Sequence, residues 1–204
     1  DYDLDCAGDD PVGWSDVLIV RRGSSEMAPL VADRMQIQSN RQRAQLFSDG
    51  ALPAGFQPAP TTRTHDLMVH AYYVGEADPS ADGMRQFALR RQTLVQGAAG
   101  PEIRDVEIVR GIEDLQVQFG LDTDDDDAAD IYVNPGAPEL AAGGRPVSAR
   151  VWLLAVAEDR ESGFVDGRDW QYANHPPGWQ PADTERRRVL VSKTVNLRNS
   201  RALL

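Results

Sequence analysis

The stretch that decides the fold is residues 111–136, GIEDLQVQFGLDTDDDDAADIYVNPG. Its first half alternates apolar and polar residues, and such alternation predicts a β-strand with one buried face. The apolar positions are Leu115, Val117, Phe119 and Leu121. Its second half is a cluster of aspartates, which cannot be buried without partners. We therefore expect a strand that leads into a solvated acidic loop, a cation site, or both.

The composition is that of a globular protein. Hydrophobic residues make up 41% of the 204 residues and charged residues 26%, which suits one good-sized core. No linker or repeat interrupts the chain, so residues 1–204 are predicted to form a single domain. The 21 basic and 32 acidic residues give a net charge of −11. This charge disfavours binding to nucleic acid or to anionic lipid, both of which need a basic surface.

The chain has a single cysteine, Cys6, so it predicts no disulfide within itself. Cys6 is expected to be a small buried or half-buried thiol, or to pair with a part of the protein outside this sequence. No apolar run approaches the roughly 18 residues that span a membrane. The first residue is Asp1 rather than Met, which suggests a processed or truncated product.

Other short β-branched or alternating runs predict further strands. Residues 41–47 have room for one or two helical turns, and residues 102–111 fit either an extended segment or a helical turn. Many strands with little helix favour an antiparallel sheet, one face of which must be covered. Either two sheets pack together or a covering helix lies outside this sequence. The predicted strands are residues 17–22, 34–38, 66–74, 86–91, 147–157 and 186–197.

Three stretches together resemble the PilW-type minor pilins of type IV pili. They are PVGWSDVLIVRR at residues 11–22, VRGIEDLQVQFGLD at 109–122 before the acidic loop, and RRVLVSKTVNLRN at 187–199. They occur in the family's order and span nearly the whole chain. The resemblance implies an α+β, pilin-like fold. This chain would contribute a predominantly antiparallel β-sheet and would lack the N-terminal hydrophobic helix.

The resemblance also implies a function. The protein would be a non-enzymatic structural subunit that helps to initiate pilus assembly in a minor-pilin tip complex, supporting adhesion and twitching motility. Its partners would be other minor pilins, the major pilin and a tip adhesin. It would contact the membrane only through the missing helix. It would lie in the inner membrane and periplasm before assembly and in the surface pilus afterwards.

Two other functions remain open. The minor pseudopilins of type II secretion share the same layout. A secreted or cell-surface binding module of another class would use the acidic loop as a Ca²⁺ site and an aromatic loop as a glycan contact.

The acidic loop spaces carboxylates as a calcium loop does, at positions one, three, five and nine. Alternating carboxylates converge on a hard cation that takes six to eight oxygens. Two positions depart from an EF-hand: Asp127 replaces the turn glycine, and Val133 stands where a bidentate glutamate belongs. A solvated acidic hairpin loop is the alternative. Ca²⁺ is the one cofactor the sequence predicts, with Asp122, Asp124, Asp126 and Asp130 as its ligands.

A second candidate site is the Gly- and Pro-rich segment that carries Trp170, Tyr172 and Trp179. Flat aromatic surfaces on loops bind sugars or protein partners, although they also serve as lids over a sheet. No catalytic residue is predicted. The histidines have no metal-ligand spacing, and no serine stands in a nucleophile elbow. The chain is therefore not expected to be an enzyme.

Overall fold

The computed structural model describes residues 11–58, 61–78, 86–97, 100–181 and 183–197. Strands make up 52% and helix 2% of the structure, in two antiparallel sheets. The prediction of an α+β, pilin-like fold is therefore wrong. Its helical part came from the family resemblance. The residues themselves form β-branched, alternating runs broken by Gly and Pro, which favour strands and turns.

The first sheet has six strands. Their order is β3-β2-β4-β5-β6, with β1 paired to β4, once the strands are numbered along the chain. β1 pairs antiparallel with the middle of β4, from Leu18 opposite Tyr72 to Gly23 opposite Leu67. The strands are β1 (Leu18–Gly23), β2 (Ala32–Ser39), β3 (Ala44–Asp49), β4 (Arg63–Glu76), β5 (Phe87–Gly97) and β6 (Gly100–Arg110).

Residues 41–47 turn and enter β3 instead of forming helical turns. The side-chain oxygen of Asn40 accepts hydrogen bonds from the amides of Gln42 and Arg43, both at 2.8 Å. The amide of Asn40 also donates to the carbonyl of Arg43 at 3.0 Å. An asparagine that bonds the next backbone amides favours a turn over a helix, so these contacts close the β2–β3 hairpin.

The second sheet has four strands, β7 (Ile112–Asp122), β8 (Ile131–Val133), β9 (Arg145–Val156) and β10 (Arg188–Asn196). Their order is β10-β9-β7-β8. β9 lies in the middle, with Leu153 opposite Leu115 of β7 on one side and Val191 of β10 on the other. The single helix among the described residues, α1 (Pro138–Ala141), is one turn between β8 and β9.

The described residues divide into two compact units. One comprises Leu18–Tyr72 and Arg91–Val106, and the other comprises residues 11–17, Tyr73–Arg90 and the described part of Glu107–Leu204. That they form a single domain stays a prediction. Cys6 lies outside the described residues. No helix in the described ranges has the length and apolar character needed to cross a bilayer.

Gly111 fixes the point at which β7 begins. Its amide donates to the carbonyl of Phe87 (2.9 Å), and its carbonyl accepts from the amide of Val156 (2.8 Å). Its φ of 75° lies in the left-handed region, and a Cβ there would lie 2.9 Å from the carbonyl oxygen of Val156. Glycine therefore meets both requirements, and β7 is held beside the end of β9.

β7 is buried on both faces, not on one as the alternation predicted. Leu115 and Val117 are buried on one face, and Asp114 and Gln116 are buried on the other. The second face is covered by the aromatic segment that follows β9, because Trp170 and Tyr172 pack with Trp152 and Leu154. The polar residues of the alternating run are therefore core residues, and each needs a hydrogen-bond partner.

Candidate functional site

The first of the three stretches that carry the family resemblance, residues 11–22, hydrogen-bonds to the edge of β7, which belongs to the second stretch. The hydroxyl of Ser15 donates to the Leu115 carbonyl (3.1 Å) and accepts from the Leu115 amide (2.9 Å). The Asp16 amide donates to the same carbonyl (2.8 Å), and its carboxylate accepts from the Val117 amide (2.8 Å). Because β8 pairs only with residues 119–121, this segment completes the edge of β7. Burial raises the pKa of Asp16.

The third stretch is tied to β7 by a buried ion pair. Arg188, at the start of β10, donates from Nε to Oε1 of Glu113 at 2.5 Å and from Nη2 to Oε2 at 3.3 Å. Burial raises the pKa of Glu113, and the hydrogen bond and charge of Arg188 offset part of that rise. All three stretches thus meet at residues 113–117 of β7.

A buried polar cluster joins β7 to the aromatic segment. Oδ2 of Asp114 accepts a hydrogen bond from the Tyr172 hydroxyl (2.6 Å) and contacts Nε2 of His175 (2.7 Å). Oδ1 accepts from Nε2 of Gln116 (3.0 Å). Burial, followed by the hydrogen bond to Asp114, raises the pKa of Tyr172 well above its ordinary value. The phenol therefore stays protonated and donates to the carboxylate.

Aromatic stacking completes this cluster. The His175 ring lies parallel to the Trp179 ring, with centroids 3.8 Å apart, and Tyr172 meets both rings edge-on. Trp170 and Tyr172 are buried, whereas Trp179 is partly exposed. The prediction that these aromatics bind a partner stays a prediction, and Trp179 offers a partner more surface than Trp170 or Tyr172.

The sequence reasoning missed this cluster because its members are far apart in the chain. Asp114 is separated from Tyr172 by 58 residues and from His175 by 61. The usable signal is an acid inside an apolar strand of a chain that also contains a segment rich in Tyr, His and Trp. These contacts hold the aromatic segment against β7, because the Asp114 carboxylate and its partners satisfy each other's hydrogen bonds.

The acidic loop is organised around Asp122, whose carboxylate is buried. It accepts hydrogen bonds from the amides of Asp124 (3.3 Å), Asp125 (2.7 Å) and Asp127 (2.8 Å), and it is also bound by the guanidinium of Arg145. Asp127 has a φ of 66°. It thus adopts the left-handed conformation of the turn glycine that it replaces, which aspartate tolerates.

Three of the four predicted calcium ligands lie together. Asp122, Asp124 and Asp130 can each offer an oxygen within 4.8 Å of the others. Asp126 is outside this group and caps the amide of Ala128 (2.7 Å). Asp130 accepts from the amide and hydroxyl of Thr123, both at 2.7 Å, and these bonds lower its pKa.

Hydrogen-bond donors already occupy the Asp122 carboxylate, which a bound cation would need as a ligand. They take up both of its oxygens, and Arg145 already supplies a positive charge. The other two members of the group, Asp124 and Asp130, are exposed. An ion would therefore rest mainly on exposed carboxylates, and calcium binding stays a prediction.

The calcium prediction has a direct test. Millimolar Ca²⁺ is expected to raise the melting temperature, because a ligand that binds the native state alone stabilises it. Asp124→Asn should abolish the increase. Asp126→Asn, a matched change outside the three-carboxylate group, should leave it intact. A melting temperature that does not change with Ca²⁺ contradicts the prediction.

Comparison with protein families matches residues 71–199 to the family described as Type IV Pilus-assembly protein W. The match covers more than half of the chain and contains β7, β9 and β10, whereas the stretch at residues 11–22 lies outside it. Comparisons with curated proteins and with solved structures give no match. The chain belongs to the PilW family of type IV pilus-assembly proteins.

Proposed function

We propose that this chain is a minor pilin that helps to initiate type IV pilus assembly within a tip complex of minor pilins. The observation that carries the proposal is the family match over residues 71–199. That family has structural and assembly roles and is not known for enzymes. A role in type IV pilus assembly and a periplasmic or pilus-associated location follow from it. We further propose that the chain acts in a tip complex and supports adhesion and twitching motility.

The second sheet suits a structural subunit. Its central strand β7 is held on its open edge by Ser15 and Asp16, at its start by Arg188, and on one face by Tyr172 and His175. Such interlocking gives a rigid module whose outer strands can be presented to neighbours. Rigid elements hold contact residues in a fixed geometry, which an ordered assembly requires.

We propose that the partners are other minor pilins, the major pilin and a tip adhesin. The protein would wait in the inner membrane and periplasm before assembly and enter the surface pilus afterwards. Contacts with such subunits would use sheet edges and exposed loops, since an extended segment gains backbone hydrogen bonds by adding to a sheet.

A gene deletion in the native host tests the proposed function. Loss of the gene is expected to reduce the number of surface pili seen by electron microscopy, with less twitching and less adhesion. The wild-type gene should restore all three. A complementing gene that carries Asp159→Ala, a change at an exposed side chain, should restore them equally. Normal piliation of the deletion strain would overturn the proposal.

The same strain separates the alternatives. Normal pili together with loss of secreted proteins would favour a pseudopilin of type II secretion. Normal pili and normal secretion together with lost Ca²⁺-dependent attachment would favour a surface binding module.

A further inference from the structure

One face of the β1–β4 pair brings an arginine beside a histidine. Successive residues of a strand point to opposite faces, so His70 and Tyr72 of β4 share one face. Arg22 of β1 stands opposite Met68. Directly opposed residues of an antiparallel pair lie on the same face, so Arg22 is a diagonal neighbour of His70.

A second arginine approaches His70 from β5, which also pairs with β4. Along β5, Gln92 is buried whereas Arg91 and Thr93 are partly exposed, so Arg91 lies on the more exposed side of the strand. Burial lowers the pKa of His70, and the charges of Arg91 and Arg22 lower it further. Both guanidinium groups therefore act on the same imidazole.

Neither of these arginines is neutralised within the described ranges. Arg22 is exposed, and its guanidinium donates only to the carbonyl of the neighbouring Gly23, at 3.2 Å. Nε of Arg91 is buried and meets no hydrogen-bond acceptor in the part of the chain that the structure describes. Buried donors in folded proteins almost always have a partner, which is water or an ion where the chain supplies none. Arg91 therefore points to a bound group.

His70 and Tyr72 add uncharged polar groups beside the two cations. The Tyr72 hydroxyl lies 3.4 Å from Nδ1 of His70, and the two rings meet edge-on with centroids 6.0 Å apart. Because the pKa of His70 is lowered, its imidazole is neutral at pH 7. The positive charge of the group thus comes from Arg22 and Arg91. All four residues belong to the compact unit that begins at Leu18.

This combination of groups suits an oxyanion. The planar guanidinium group matches the geometry of carboxylate and phosphate oxygens, and hydrogen bonds between such charged groups are the strong ones. Two like charges close together repel, and an anion bound beside them would remove that cost. The chain as a whole carries a net charge of −11, so carboxylates are plentiful, yet none pairs with these two arginines in the described ranges.

We propose that Arg22, His70, Tyr72 and Arg91 form a binding site for an oxyanion, namely the carboxylate or phosphate group of a ligand. The two guanidinium groups donate to the oxygens of the anion, and the Tyr72 hydroxyl and the imidazole lie beside it. This inference goes beyond the pilus role and does not depend on it.

His70 itself reports whether an anion is bound. A negative charge close to an imidazole favours its protonated form. Sodium sulfate should therefore raise the pKa of His70 above its value in sodium chloride of equal ionic strength. Sulfate is the probe because its charge does not change across the titration range of histidine. Equal effects of the two salts on His70 overturn the proposal.

NMR titration of the histidine ring protons measures this change. The chain has three histidines, and the signal that is absent from His70→Gln belongs to His70. The signals of His65 and His175 are internal controls and should respond alike to the two salts. A sulfate response of all three histidines would show a general salt effect and would overturn the proposal.

Matched variants isolate the two arginines. Arg91→Gln and Arg22→Gln should each weaken sulfate binding about tenfold, because each removes a charged donor. Arg63→Gln, at the exposed first residue of β4, should bind sulfate like the wild type. Since Nε of Arg91 has no partner without the anion, Arg91→Gln should not lower the melting temperature in sulfate-free buffer. Unchanged sulfate binding by Arg91→Gln, or a clear loss of stability, overturns the proposal.

Capped glutamate and capped glutamine separate the two sources of the anion. If capped glutamate raises the pKa of His70 as sulfate does, and capped glutamine does not, the site accepts a side-chain carboxylate of another polypeptide. If sulfate alone acts, the site accepts a free phosphate-like anion. Both results support an oxyanion site. If neither sulfate nor capped glutamate acts, the proposal fails.

Discussion

Asp114→Ala is expected to lower the free energy of unfolding by about 3–5 kcal/mol. The Asp114 side chain is 0% exposed, and its carboxylate is the shared partner of Tyr172 and His175. Its removal leaves both of them buried without that partner, and each unpaired group costs about 1–3 kcal/mol. Asp114→Asn keeps the shape and one acceptor oxygen, so it should cost less. Urea denaturation followed by tryptophan fluorescence measures both changes.

The control for this prediction is Asp159→Ala. Asp159 is exposed, so its replacement should change the unfolding free energy by no more than about 0.5 kcal/mol. If Asp114→Ala costs as little as Asp159→Ala, the buried cluster does not hold the aromatic segment to β7.

The stability that the Tyr172 hydroxyl contributes should depend on pH. Because its pKa is raised in the folded state, its contribution is complete below the ordinary tyrosine pKa of about 10 and is lost as the pH rises further. The advantage of the wild type over Tyr172→Phe should therefore shrink by about 1.4 kcal/mol between pH 8 and pH 11. A constant difference would show that the phenol is not held protonated.

Arg188→Ala is expected to cost about 3–5 kcal/mol, because it leaves Glu113 buried without its counter-ion. Its neighbour Arg187 provides a comparison that differs in burial. The side chain of Arg188 is 1% exposed and that of Arg187 is 62% exposed, although both form paired contacts with a glutamate. Arg187→Ala removes an exposed ion pair with Glu161 and should cost at most about 1 kcal/mol. Equal costs would contradict the role given to burial.

Acid should partly rescue Arg188→Ala. The pKa of Glu113 is already raised by burial above its ordinary 4.5, and a protonated glutamate needs no counter-ion. A raised pKa means that stability is present at low pH and lost as the pH rises through the folded value. The difference between wild type and Arg188→Ala should therefore narrow as the pH falls from 8 toward 4.5. A difference that stays constant would assign the loss to packing.

Strands could be predicted wherever local pattern decides them. The alternation of residues 111–121 and the β-branched runs at residues 147–157 and 186–197 correspond to β7, β9 and β10. The helical alternative at residues 41–47 was wrong, because the Asn40 side chain caps a turn that its neighbours do not indicate. The α+β class was wrong because it was taken from the resemblance and not from this chain's residues.

The site was less predictable, because its chemistry depends on contacts between distant residues. The aspartate run indicates a loop, yet nothing local shows that Asp122 is buried and bound by Arg145, which is 23 residues away. The alternation of β7 predicts its buried face at Leu115 and Val117. It does not reveal that Asp114 and Gln116 are buried as well, since the aromatic segment that covers them comes much later in the chain.

The attachment of Ser15 to Leu115 has a consequence for folding. These two residues are 100 positions apart, so the bond closes a long loop, and such contacts raise contact order and slow folding. During folding the edge of β7 beside Leu115 stays unpaired until the N-terminal segment returns to it. In that interval the sheet exposes one unpaired strand edge that the folded protein does not, and such an edge can pair with other chains. A chaperone that shields extended edges would therefore raise the yield of folded protein.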